Sequence, residues 1–172
     1  MQAWTEFYTV IGGASAALLG LLFIAISVNA AATMGPGQEH SRRLAEQAFQ
    51  NYLVVLMVSL LSLFPDISIS TFATVALLTT GVWFIWVFVR LWQVIASPGS
   101  LASRLLVLRR HLSSLTGFGM LTFAALRMAI GGGDERNWFA AATIVLLFAA
   151  ITVSWEFLIG LARTEARNGP PA

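Results

Sequence analysis

The chain has 172 residues, 58% of them hydrophobic and only 10% charged, with a mean hydropathy of +0.79, whereas an average soluble domain carries about 25% charged residues. That composition excludes an ordinary water-soluble fold. The ten cations are all arginine and face eight acids, too small a surplus to argue for nucleic-acid binding, and the lack of cysteine excludes disulfides, thiolate ligands and cysteine nucleophiles.

A bilayer's hydrocarbon core is about 30 Å thick and a helix rises about 1.5 Å per residue, so roughly 20 apolar residues span it. Five stretches meet or approach that length, and they predict an all-α integral membrane bundle of about five transmembrane helices within residues 1–165. Met1 to Glu6 carries an acid and no arginine. The apolar run behind it, Phe7 to Asn29, exceeds the roughly 7–15 residues of a signal peptide's apolar region, so it reads as a retained first span. Within it Gly12, Ala16 and Gly20 recur every four residues and form a smooth ridge on which another helix backbone can approach closely, inside one subunit or between subunits.

The second span is Ala48 to Phe64, closed by Pro65-Asp66, since proline removes a donor and disfavours helix just before it. Its approach carries Arg43, Glu46, Gln47, Gln50 and Asn51, which reads either as a wet vestibule or as a solvated helix extension. The third span runs from Thr71 to Gln93, with Trp83, Trp86 and Arg90 on one stripe. After Pro98-Gly99-Ser100 comes Leu101 to Leu112, where four leucines share a face and the arginines lie off it, the pattern of a basic amphipathic segment at a membrane surface. The fourth span, Leu112 to Ile130, is the most polar, holding Ser113, Ser114, Thr116, Gly117, Gly119 and Arg127. Gly131-Gly132-Gly133 ends it. The fifth runs from Trp138 to Leu161 and contains Glu156; residues 166–172 read as a disordered tail.

Arginine placement orients these spans, because cytoplasmic connections retain positive charge during insertion. Arg42, Arg43, Arg90, Arg104, Arg109, Arg110, Arg163 and Arg167 fall on one side, against Arg136 and a snorkelling Arg127 on the other. The amino terminus is expected outside and the carboxyl terminus in the cytoplasm. Trp4 and Trp138 then mark the outer edge, and Trp92 and Trp155 the inner one. Arginine in place of lysine and the richness in alanine and glycine suggest a bacterial cytoplasmic membrane. No half of the chain repeats in the other, so the inverted-repeat plan of many transporters is not supported.

Glu156 is the most suggestive single residue, since a charge costs on the order of 2–3 kcal/mol at a helix centre. Arg90 is the expected partner at similar depth, in a structural pair or an ion pathway. Arg127 is expected near Glu6 and Asp66 at the outer surface, far from Glu156. His40 and His111 lack nitrogen or sulfur ligands at metal spacing, and no glycine-rich phosphate cradle is present. Neither a metal nor a cofactor is expected. No nucleophile, base or acid pair shares a depth in the spans, which argues against an enzyme. Self-association through the first span is expected, giving a homo-oligomeric channel or transport protein; a non-catalytic accessory or assembly subunit of a larger membrane complex is the alternative.

Overall fold

The computed structural model describes residues 2–35, 37–96, 101–131 and 136–168. They form six helices and no strand: α1 (Gln2–Val28), α2 (Ala30–Met34), α3 (Glu39–Ser62), α4 (Ile69–Ala96), α5 (Leu101–Ala129) and α6 (Arg136–Asn168). Among the described residues four helices, α1, α3, α4 and α6, are long and apolar enough to cross a membrane, which marks an all-helical membrane protein. The hydroxyls and glycines of α5 lower its hydropathy, yet it packs between α4 and α6 like any other member of the bundle.

Neighbouring helices run antiparallel, as contact register shows. Gly12 on α1 faces Ser59 on α3, while Ser15, further along α1, bonds Tyr52, further back on α3. Thr80 on α4 meets Thr122 on α5, and Phe84 stands opposite Gly119. Helices α3, α4, α5 and α6 close a four-membered ring, α1 lies against the outside of α3, and α2 covers the end of α3 with light contacts to α1 and α6. Short connections between long apolar helices favour this up-and-down arrangement.

Turn chemistry sets the helix ends. Asn29 separates α1 from α2, its side-chain amide donating to the Ala25 carbonyl at 3.0 Å. Asp66, in the turn from α3 to α4, has φ of 56°, a left-handed conformation that aspartate tolerates better than most residues. Gly131, with φ of 81°, follows α5 as the residue that ends many helices in this conformation.

The core divides into two apolar layers. Near the α3–α4 turn, Tyr8, Val55, Val58, Ala76, Phe118, Leu121 and Phe139 pack together. Toward α2, Leu22, Leu44, Ala48, Tyr52, Val153 and Phe157 form the second layer.

Several boundaries differ from those expected. Helix α3 starts at Glu39, well ahead of Ala48, and its first turns carry the exposed i,i+4 pairs Arg43–Glu39 at 3.2 Å and Arg42–Glu46 at 3.1 Å. These support an isolated helix by about 0.3–0.5 kcal/mol each. The segment 101–112 and the fourth apolar stretch are one continuous helix, α5; the side chains of 101–111 lie outside the described residues. Helix α6 continues to Asn168, three residues into the expected tail, and residues 169–172 lie outside the described set.

Two glycines are required for close packing. A Cβ on Gly12 would come within 2.9 Å of Ser59 Cβ, and one on Gly117 within 2.6 Å of Leu146 Cγ, whereas Gly20 has open space beside it. Gly12→Val and Gly117→Val should each lower the free energy of unfolding in detergent by about 1–3 kcal/mol through overpacking. In detergent that dissociates the protein to single chains, Gly20→Val should leave that free energy within about 0.5 kcal/mol. Equal losses at all three positions would contradict this packing.

Candidate functional site

Alongside the second apolar layer, of which Tyr52 is itself a member, lies a belt of polar side chains contributed by four helices. Asn51 on α3 is only 1% exposed; its amide nitrogen donates to Ser114 Oγ on α5 at 2.9 Å. Gln47, one turn earlier on α3, donates to the same oxygen at 3.2 Å. Beside them Ser15 Oγ on α1 donates to the Tyr52 carbonyl at 2.8 Å, and Ser154 Oγ on α6 donates to the Tyr52 hydroxyl at 3.3 Å. Asn51 and Tyr52 are consecutive and so project about 100° apart on the helix, which lets α3 reach α5 with one and α6 with the other.

These bonds follow from the surroundings. A buried polar group without a partner costs about 1–3 kcal/mol, and hydrocarbon supplies none. The belt resolves this by pairing helix with helix. It is built of amides and hydroxyls without a carboxylate or imidazole, so its groups can hold one another but neither accept nor release protons readily near neutral pH. Among the described residues no three histidines, cysteines or acids stand together as a metal site.

Of the expected vestibule residues, Gln47 and Asn51 are therefore brought together in this belt, while Gln50, on the same helix, is part-buried. Asn51 faces a neighbouring helix and not a water-filled mouth. The expected ridge of small residues is split. Gly12 is buried against α3, but Ala16 and Gly20 are exposed. The cause is helical phase: each four-residue step overshoots the 3.6-residue turn by about 40°, so the ridge winds off the contact face. That face instead follows Tyr8, Gly12, Ser15 and Leu22.

Glu156 lies two residues beyond Ser154, on the opposite side of α6, and is exposed next to exposed Trp155. It has no ion-pair partner among the described residues. The side chain of Arg90 lies outside the described residues; its helix, α4, packs chiefly on α5, whereas α6 packs on α3 and α5. Arg127, Asp66 and Glu6 are all exposed at the end of the bundle that holds the α3–α4 turn, but on separate elements. Arg127 falls in the last turn of α5, where the helix dipole favours a cation.

Two residues of the belt escaped sequence reasoning as partners. Ser114 was only one of several hydroxyls that weakened the fourth span, and Ser15 sat inside a run of small residues; the remaining signal is that both are polar and in phase with a buried face. Ser114→Ala should destabilise the protein by about 1–3 kcal/mol, because it strands the buried Asn51 amide and removes a bond from Gln47. In a double-mutant cycle with Asn51→Leu, a coupling of about 0.5–2 kcal/mol is expected from unfolding titrations. Strictly additive losses would mean that the two side chains do not depend on each other.

No protein-family model, curated protein or solved structure matches this chain.

Proposed function

We propose that the protein is a homo-oligomeric channel or small transport protein, with its pathway between protomers and not through one. The observation that carries this reading is the outward face of α1. This helix is held to the bundle by one side only, and its other side exposes Gly13, Ala16, Ala17 and Gly20 among larger apolar residues. Small side chains on a membrane helix allow close approach of a second helix. Within a protomer, the ring of α3 to α6 is filled by Phe118, Leu121, Phe139, Leu146 and Phe157, each less than 2% exposed, which leaves its centre to packing.

The reading includes five crossings of a bacterial cytoplasmic membrane, with α5 as the least apolar of them, the amino terminus outside and the arginine-rich connections in the cytoplasm. It assigns no catalytic role. Glu156, on the exposed side of α6, then faces either a neighbouring subunit or the membrane boundary.

A non-catalytic accessory subunit of a larger complex is the second reading. It is favoured by the chemistry of the outer faces. The exposed hydroxyls of Thr9, Thr74, Thr116 and Thr152 each donate to a carbonyl four residues earlier in their own helix, so these positions offer little to a permeating ion.

Native mass spectrometry of the protein released gently from its membrane separates the two. A multiple of 18.6 kDa that collapses to single chains in Gly20→Leu, together with ion flux by the reconstituted oligomer, is the expected result. Copurification of another polypeptide in fixed ratio, without flux, would replace the first reading by the second.

A further inference from the structure

The ring of helices is least tightly closed between α3 and α4. The two are joined by a short turn, and between them lies a cavity of about 350 Å³ lined by Met57, Val58, Leu60 and Leu61 of α3, Phe64 of the turn, and Val75, Ala76 and Thr79 of α4. Its floor is closed, with Val58 2% and Ala76 1% exposed, while Met57, Leu60, Phe64 and Val75 stand exposed along its rim. The result is a slot with a closed floor and an exposed apolar rim.

We propose that this slot holds an acyl chain of a bilayer lipid. Both walls belong to helices apolar enough to cross a membrane, and the lining residues lie within their apolar lengths or next to the turn, so the slot opens onto hydrocarbon. Its chemistry excludes polar ligands. The sole hydroxyl in the lining, Thr79, already donates to the Val75 carbonyl at 2.8 Å, so a ligand donor or acceptor brought here gains little and loses its water. Shape narrows the choice further. The α3 wall rises about 6 Å along the helix axis from Met57 to Leu61, and Phe64 of the turn extends it into a narrow slot suited to a flexible unbranched chain. An empty slot forfeits the dispersion contacts of every atom that lines it, and a lipid tail restores them without a protein partner. The inference depends only on α3 and α4 lying in a membrane, and not on the oligomeric or transport reading.

The test uses the full-length protein stripped of bulk lipid in mild detergent and reloaded with dioleoyl phosphatidylglycerol. Native mass spectrometry should show one lipid retained per protomer. Filling the slot from its exposed rim, by Val75→Trp or Leu60→Trp, should reduce retention about tenfold at fixed lipid concentration, the effect of losing about 1.4 kcal/mol of binding. Phe148→Trp, at a position 71% exposed on α6, which contributes nothing to the lining, should retain lipid like the parent and controls for general changes at the surface. All three replace exposed side chains, and retained helicity by circular dichroism verifies folding. Absence of retained lipid in the parent, equal retention in all variants, or photocrosslinking from position 60 to a polypeptide in place of lipid would each overturn the proposal.

Discussion

The need to pair polar groups where no water is available organises this bundle. In hydrocarbon an amide or hydroxyl has only the protein to bond to, and this chain carries Ser15, Asn51, Tyr52, Ser114 and Ser154 in its interior or half-buried beside it. They lie alongside the second apolar layer, to which Tyr52 belongs, and reach across from α3 to α1, α5 and α6. Apolar packing alone tolerates small rotations and slips of a helix. A belt in which each partner is specific does not, because a slip of one residue would turn Asn51 about 100° away from Ser114. The belt therefore fixes register, while the two apolar layers supply most of the buried area.

Close approach at glycine is the complementary device. Gly12 brings α1 onto Ser59, and Gly117 brings α5 onto Leu146. Both contacts lie near belt residues in sequence, Ser15 and Ser114 respectively, so short interhelical distances and polar cross-ties occur on the same helix faces. Where neither device operates the helices part, and the slot between α3 and α4 is the place where that happens. No interhelical hydrogen bond links those two walls within the lining residues; Thr79 bonds its own helix.

The outer surface obeys the same rule differently. Exposed threonines satisfy their hydroxyls on their own helices, a local solution open to any helix in lipid. Glu156 has no such local solution, since a carboxylate cannot donate to a carbonyl four residues back. Its position on the exposed side of α6, together with the exposed small-residue strip of α1, marks the surfaces on which the chain differs from an inert apolar rod.

Much of this architecture follows from the linear pattern. Length and apolarity of the runs predict about five membrane-length helices, of which four are long and apolar enough among the described residues, and Pro65-Asp66 and Gly131 end helices close to where their backbone chemistry requires. Composition decides these features because they depend on a residue and its near neighbours in the chain. The small-residue ridge shows where that reasoning stops: Gly12, Ala16 and Gly20 look equivalent in sequence, but only the first meets α3, since a four-residue step drifts from a 3.6-residue helix and the partner's position selects which part is covered. Asn51 and Gln47 were recognisable as unusual, yet a chain read in order cannot tell a wet mouth from a sealed belt. That choice belongs to Ser114, more than sixty residues away, and only the folded bundle brings the two within hydrogen-bonding distance.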